Sequence, residues 1–262
     1  MDSSTPYTVA ALSLTAIKGL RIRRLEEVWI GPAGVREDRR FYLVDERGRM
    51  VNAKRLGALQ SVQAEYDDDA RRLSLTFPDG STVVGAVELG EAVDTTFFSA
   101  SLPARPVLGP FAAALTAWAG ETLRLVEANP ARPAVDRGAL GTVSLVSSAS
   151  LARLAEQAGA DGIDGRRFRM LLEVAGPEAH EEDSWIGRSL RVGQALVRLH
   201  GHVGRCLVTG LDPQTGHPDL PTLDLLRAYR DGLQSTEPLP FGVHGAVLEP
   251  GRVRVGDPVT PQ

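Results

Sequence analysis

The sequence predicts a mainly β protein with some α, opening with an N-terminal β-barrel region. Short segments rich in β-branched and apolar residues recur along the chain, separated by turn signals such as Gly31-Pro-Ala-Gly34, Glu46-Arg-Gly48 and Pro78-Asp-Gly80. Few stretches carry apolar residues at helical spacing. The 262 residues are 43% hydrophobic and 24% charged, enough for a full core in one large domain or two modest ones.

Along the chain, Tyr7 to Lys18 reads as a strand, after which the sequence turns basic at Lys18, Arg21, Arg23 and Arg24. Phe41 to Val44 is a strand leading through a hairpin turn into Met50-Val51. Arg71 to Phe77 is another, with Leu73 and Leu75 on one face. Such short strands with regular turns fit an antiparallel barrel or sandwich. Phe111 to Trp118 is helical and stops at Gly120. Pro130 and Pro133 mark a loop near a domain boundary, placed between residues 7–126 and 127–262. Leu151, Leu154, Ala155 and Ala158 lie on one helical face, with Ser147 or Ser148 as N-cap and Gly159 as terminator. Arg166 to Val174 reads as a strand led by arginines. Leu190 to Val192 and Val197 to Leu199 are strands around a Gly193-Gln194 turn. Thr222 to Tyr229 is a short helix, and Val253 to Val255 a last strand.

Composition excludes several functional classes. A formal net charge of -4 gives no bulk affinity for nucleic acid. One cysteine can form neither an intrachain disulfide nor a cysteine-rich zinc or iron–sulfur site. No apolar run is long enough to span a bilayer, and the Met-Asp-Ser-Ser start lacks a basic n-region. The chain is read as cytoplasmic and complete.

The single cysteine, Cys206, lies just past a strand end, in the run from His200 to Gly216. His200, His202 and Arg205 surround it in sequence, and Asp212-Pro-Gln-Thr-Gly216 forms a turn. A thiolate is a soft metal ligand and a good nucleophile. A lone cysteine is more often a small buried apolar residue than a catalyst. His202 and Asp212 are candidates for proton supply. Their plainer roles are a strand-end histidine and a turn residue.

Motifs in order along the chain then point to a family. They are Gly34 to Arg55, Val143 to Leu154, Arg167-Phe-Arg169, Glu182-Asp-Ser-Trp185, Arg205-Cys206 with Asp212 to Gly216, Phe241-Gly242, and Val255-Gly-Asp-Pro258. Together they resemble MOSC proteins that carry an N-terminal β-barrel domain ahead of a MOSC β-barrel domain with peripheral helices. Within that family the chain is similar to the mitochondrial amidoxime reducing components and their bacterial relatives.

The resemblance implies a molybdenum cofactor, with Cys206 as the molybdenum ligand. Lys18, Arg39 and Arg169 would line its phosphate and pterin end, Arg205 would help hold it, and Ser147 and Ser148 would contact it at a helix start. Guanidinium and ammonium groups suit a phosphate dianion. The implied activity is reduction of N-hydroxylated or N-oxygenated small molecules. Electrons would come from a separate protein, ferredoxin-like or a flavin reductase, with no nucleic-acid or membrane partner. Pyridoxal phosphate binding is a further family-level option. The chain departs from its relatives at Gly19 (serine there), Leu171 (asparagine) and Val203 (often cysteine). Two alternatives therefore stand beside the reductase. One is a metal-free sulfur carrier using a Cys206 persulfide, and the other a non-catalytic protein that binds the cofactor.

Overall fold

The computed structural model describes residues 6–129 and 138–262. The proposed boundary loop at Pro130 and Pro133 lies outside them. The fold is mainly β with three α-helices among the described residues. An eight-stranded sheet dominates. Its spatial order is Val259–Pro261, Ser189–Val192, Ala195–His202, Val243–Glu249, Val143–Ser147, Leu172–Ala175, Thr8–Leu14 and Arg23–Leu25. Neighbours run antiparallel except Val143–Ser147 beside Leu172–Ala175, which run parallel. A parallel pair needs a crossover, and the helix Ser148–Ala158 lies in it. The N-terminal half adds a five-stranded sheet (Met50–Val51, Phe41–Val44, Arg124–Glu127, Ala100–Pro106, Val93–Phe97). It also adds a three-stranded sheet (Gln63–Asp67, Arg72–Thr76, Thr82–Ala86).

The halves share strands. Thr8–Leu14 pairs with Leu172–Ala175 in the register Val9↔Val174 and Leu12↔Leu172. Glu27–Ile30 pairs with Gly251–Arg254. The apolar residues of these strands join the larger core, where Leu12, Ile30, Leu145, Leu172, Leu190 and Val197 are all fully buried. A second core fills the N-terminal half around Ile17, Phe41, Leu59, Leu73, Phe111 and Leu125. Leu73 and Leu75 face it together, as their alternation requires.

Helix α1 (Phe111–Ala119) ends at Gly120 with φ 72°, and α2 (Ser148–Ala158) at Gly159 with φ 64°. Both caps use the left-handed region open to glycine. Helix α3 spans Thr222–Arg230. The arginine-led strand differs from its sequence reading. Gly165–Phe168 is a 3₁₀ turn capped by Asp164, and Arg169 takes φ 56°. Residues 166–169 therefore cannot lie in the sheet, and the strand is only Leu172–Ala175.

The Asp212 turn docks on the N-terminal half through two glycines. At Gly216 (φ 74°) a Cβ would overlap the Gly57 carbonyl oxygen, and at Gly57 a Cβ would overlap the Gly216 oxygen. Gly216→Ala is expected to destabilise the protein by more than about 2 kcal/mol, from left-handed strain and backbone overlap together. Urea unfolding checks this.

A half-buried histidine, His180, lies beside α3 against Tyr229. Burial, aided by Arg230, lowers the His180 pKa from 6.5 to about 4. The unfolded chain therefore binds a proton at a pH where the folded chain does not. The stability from neutral His180 is complete above about pH 6.5 and is lost as pH falls toward 4, by up to about 3 kcal/mol. Glu182 works in the opposite sense, because burial raises its pKa. The difference between wild type and His180→Asn isolates the histidine. Asparagine tolerates the φ of 65°. Unfolding free energies at pH 7.5 and 4.5 should show a smaller drop for the variant.

Candidate functional site

Between the halves lies a cleft of about 260 Å³. Six cationic side chains line it (Lys18, Arg39, Lys54, Arg167, Arg169 and Arg205) against one carboxylate, Asp38. This stands out in a chain of net charge -4.

The backbone fixes the N-terminal contributors. The Lys18 amide donates to the Phe41 carbonyl at 2.8 Å, and the Phe41 amide to the Ala16 carbonyl at 3.0 Å. This seats Lys18, 8% exposed, with its Nζ 5.5 Å and 5.6 Å from the ring centres of Phe97 and Phe98. The Arg39 amide donates to the Thr15 carbonyl at 2.7 Å. Its guanidinium pairs with Asp38 and donates through Nη2 to the Arg169 carbonyl at 2.7 Å. Arg169 in turn donates to the Leu20 carbonyl at 2.8 Å. Arg39, Phe98 and Arg169 all have positive φ (50°, 54° and 56°), and all three line the cleft. Bulky residues adopt this region rarely, and such strain gathers at functional sites.

The backbone at Cys206 is braced on both sides. Arg205 is buried, donating to the Phe241 carbonyl at 2.9 Å and the Phe168 carbonyl at 2.9 Å, with its guanidinium 5.2 Å from the Phe168 ring centre. After Cys206, the Thr209 amide and hydroxyl both donate to the Cys206 carbonyl, at 3.0 Å and 2.9 Å. Arg167 locks that turn from behind through two bonds to Asp219 and one to the Thr209 carbonyl. Cys206 itself is exposed at the cleft, so it is not the buried apolar filler that a lone cysteine usually is.

Lys18, Arg39, Arg169, Arg205 and Cys206 thus come together, and Ser147 and Ser148 do not join them. Ser147 is fully buried as the α2 N-cap: its hydroxyl accepts from the Ser150 amide at 3.1 Å, and its amide donates to Glu182. The Ser148 hydroxyl donates to Glu173 at 2.9 Å. The hydroxyl residues lining the cleft are Thr142 and Ser144, earlier on the same segment, and Thr209, whose hydroxyl is held on the Cys206 carbonyl. The Thr142 Oγ1 is buried and has no hydrogen-bond partner. A strand alternates its faces and a helix start turns away from the sheet, which the segment's pattern alone did not resolve.

The proton candidates also fall elsewhere. His202 sits 3.4 Å from Asp183, outside the lining, and His200, the other histidine near Cys206 in sequence, is exposed and also away from it. Asp212 is a turn residue. Burial raises its pKa, but the Thr215 amide and hydroxyl and the Gln214 amide outweigh this and hold it below the ordinary carboxylate range. The imidazole in the cleft is His244, whose Nδ1 donates to the Leu140 carbonyl at 2.9 Å. Asp38, Asn52 and Lys54 lie inside the Gly34 to Arg55 motif but were not singled out, and His244 carried no local signal. They reach the cleft only through long-range pairing.

Gly19, Leu171 and Val203 all line the cleft. Gly19 has φ 95°, and a Cβ there would lie 3.3 Å from the Asn52 Cα, so this backbone excludes a serine without strain. Among the described residues no group of three or more His, Cys, Asp or Glu is placed to hold a metal ion. A metal at Cys206 therefore needs further donors from an organic ligand. The lining fits such a group: cations for an anionic end, an orphaned hydroxyl, and one exposed thiol.

The MOSC domain family matches residues 134–260, and the MOSC N-terminal beta barrel domain family matches residues 7–118. Human mitochondrial amidoxime reducing component 2 is 38% identical over 99 residues, covering 35% of this chain and 29% of that protein. The rat component 2 is 37% identical over 99 residues (35% and 28%), and the zebrafish component 1 is 35% identical over 96 residues (36% and 29%). The matched stretch is less than a third of the length of these relatives. Among solved structures, the YuaD protein from Bacillus subtilis is similar over 97% of this chain and 94% of that one, at 13% identity and TM-score 0.49. YiiM from Geobacillus stearothermophilus is similar over 48% and 56%, at 19% identity and TM-score 0.36. No helix among the described residues is long and apolar enough to cross a membrane. The chain is a member of the MOSC family, a MOSC N-terminal beta barrel domain followed by a MOSC domain.

Proposed function

We propose that the protein is a molybdenum-cofactor-dependent reductase of N-hydroxylated or N-oxygenated small molecules. The observation that carries this is an exposed thiol, Cys206, opening into a cleft of cations. Membership of the MOSC family and the similarity to amidoxime reducing components support it.

When bound, the cofactor supplies a molybdenum centre able to accept an oxygen atom and exchange electrons. Reduction of an N–OH group breaks the N–O bond, takes up two electrons and two protons, and releases the amine and water. The chain's own residues have narrower tasks. Cys206 offers the protein thiolate. Lys18 and Lys54 offer ammonium charge, and Arg39 and Arg169, cross-braced by the Arg39 bond to the Arg169 carbonyl, hold the anionic end. The Thr142 hydroxyl gains the partner it lacks. Arg205 helps hold the cofactor, and with Arg167 it positions the Cys206 turn. His244 is the group in the cleft suited to move a proton. The one cysteine cannot hold an iron–sulfur cluster within this sequence, and electrons come from a redox partner, ferredoxin-like or a flavin reductase.

The test is elemental and pterin analysis of protein made in a host that synthesises the cofactor. Wild type should carry near-stoichiometric molybdenum and pterin. Cys206→Ala should lose or loosen the metal, and Arg169→Ala should lower pterin content at least about tenfold, the loss of one charge-assisted contact. Molybdenum absent from wild type, with labile sulfur on Cys206, would overturn the reductase in favour of sulfur transfer. Pterin bound without turnover of any N-oxygenated compound would mark a binding protein.

A further inference from the structure

A second concavity lies away from the cleft. This groove of about 550 Å³ opens between the strands Arg23–Leu25 and Gln63–Asp67. Each is the terminal strand of its sheet, the first of the eight-stranded sheet and the second of the three-stranded one. They meet at one end, through the parallel bridge Arg21↔Gln63, where the Arg21 amide donates to the Val62 carbonyl at 2.9 Å. Beyond that bridge Arg23–Leu25 pairs with Thr8–Leu14 and Gln63–Asp67 with Arg72–Thr76. No ladder joins the two strands to each other among the described residues. The groove is the wedge left where they part, and residues of both strands line it.

An unpaired strand edge is a template for another extended chain, and here two edges border one groove. Its charge selects the occupant. Glu27, Glu37, Glu65, Asp67, Asp68 and Asp69 line it against Arg23 and Arg72. Arg254 neutralises Glu27 at 2.6 Å and Arg36 neutralises Asp68 at 2.5 Å, and the wall stays predominantly acidic. Trp29 stands in the lining at 54% exposure, an aromatic face open to a cation. Tyr66, also in the lining and 4% exposed, carries a buried hydroxyl with no hydrogen-bond partner.

We propose that this groove binds an extended, basic segment of a partner protein. The segment pairs with the strand edges and sets its arginines or lysines against the carboxylates and Trp29. Acidic side chains on an edge also serve as guards against self-pairing, and a guard alone accepts no added strand. The proposal is independent of the reductase reading.

The probes are the peptide acetyl-Arg-Val-Arg-Val-Arg-Val-amide and its counterpart with glutamate in place of arginine, each added to the full chain. Amide hydrogen exchange within residues 23–25 and 65–67 is expected to slow at least about fivefold with the basic peptide at several times its Kd, and to stay unchanged with the acidic one. The exposed-site variant Glu65→Lys/Asp69→Lys should lose this protection. Trp29→Ala, checked by circular dichroism for an intact fold, should weaken it. No protection of either strand, equal protection by both peptides, or full protection in the charge-reversed variant would overturn the proposal. Protection that tracks protein concentration without peptide would also overturn it, since a second copy of the chain would then be the occupant.

Discussion

The strand Thr8–Leu14 is the constraint on which the remaining structure depends. It lies between Leu172–Ala175 and Arg23–Leu25, so an N-terminal segment closes the sheet of the C-terminal half. Leu12 and Leu14 are buried there, worth about 1.5–3 kcal/mol each in removed apolar surface. The strand also fixes the chain just beyond its end. Thr15 and Ala16 accept the amides of Arg39 and Phe41, and two residues later Lys18 enters the cleft. The cationic side of the site is thus built on the same backbone that joins the halves.

The opposite wall is built by different means. The 3₁₀ turn Gly165–Phe168 stops the chain from entering the sheet until Leu172, and Arg169 at the corner points its guanidinium back toward Leu20. Arg39 reaches across to the Arg169 carbonyl. Of the two arginines in left-handed conformations, Arg39 thereby holds the Arg169 segment and Arg169 holds the segment at Leu20. Their strain is of order 1–3 kcal/mol each and persists because long-range hydrogen bonds over-determine both corners. Cys206 needs no comparable strain. It comes after a strand end, and Arg205 on one side and the Thr209 turn on the other hold its backbone.

Much of this was legible in the sequence. Alternation located Leu73 and Leu75, glycine located the ends of α1 and α2, and the strand-end position of Cys206 came from the Leu190 to Leu199 hairpin. The family resemblance gathered Lys18, Arg39, Arg169, Arg205 and Cys206, which the fold does bring to one cleft. The failures were local. The run Arg166 to Val174 has the composition of a strand, but a left-handed arginine in it answers to distant carbonyls that no short window contains. The same limit hid Thr142 and His244. Their exposure to the cleft depends on which face of the sheet the strand Val143–Ser147 presents after pairing with Val243–Glu249. Ser147 and Ser148 fell on the capping side of that segment for the same reason.

The interleaved N-terminal strand also bears on how the chain is made. Val9 leaves the ribosome 165 residues before its partner Val174. At about 5–20 residues synthesised per second that interval is roughly 10–30 s, far longer than hairpin formation elsewhere in the chain. Until then Thr8–Leu14 is an apolar strand with one side open, the kind of surface that chaperones cover and that misassembles at high concentration. Non-local closure of this kind also slows folding itself, because the loop entropy is lost before the contact forms. Biogenesis of the protein is therefore governed by when its first strand is matched, and the site, which depends on that pairing, is among the last features to assemble.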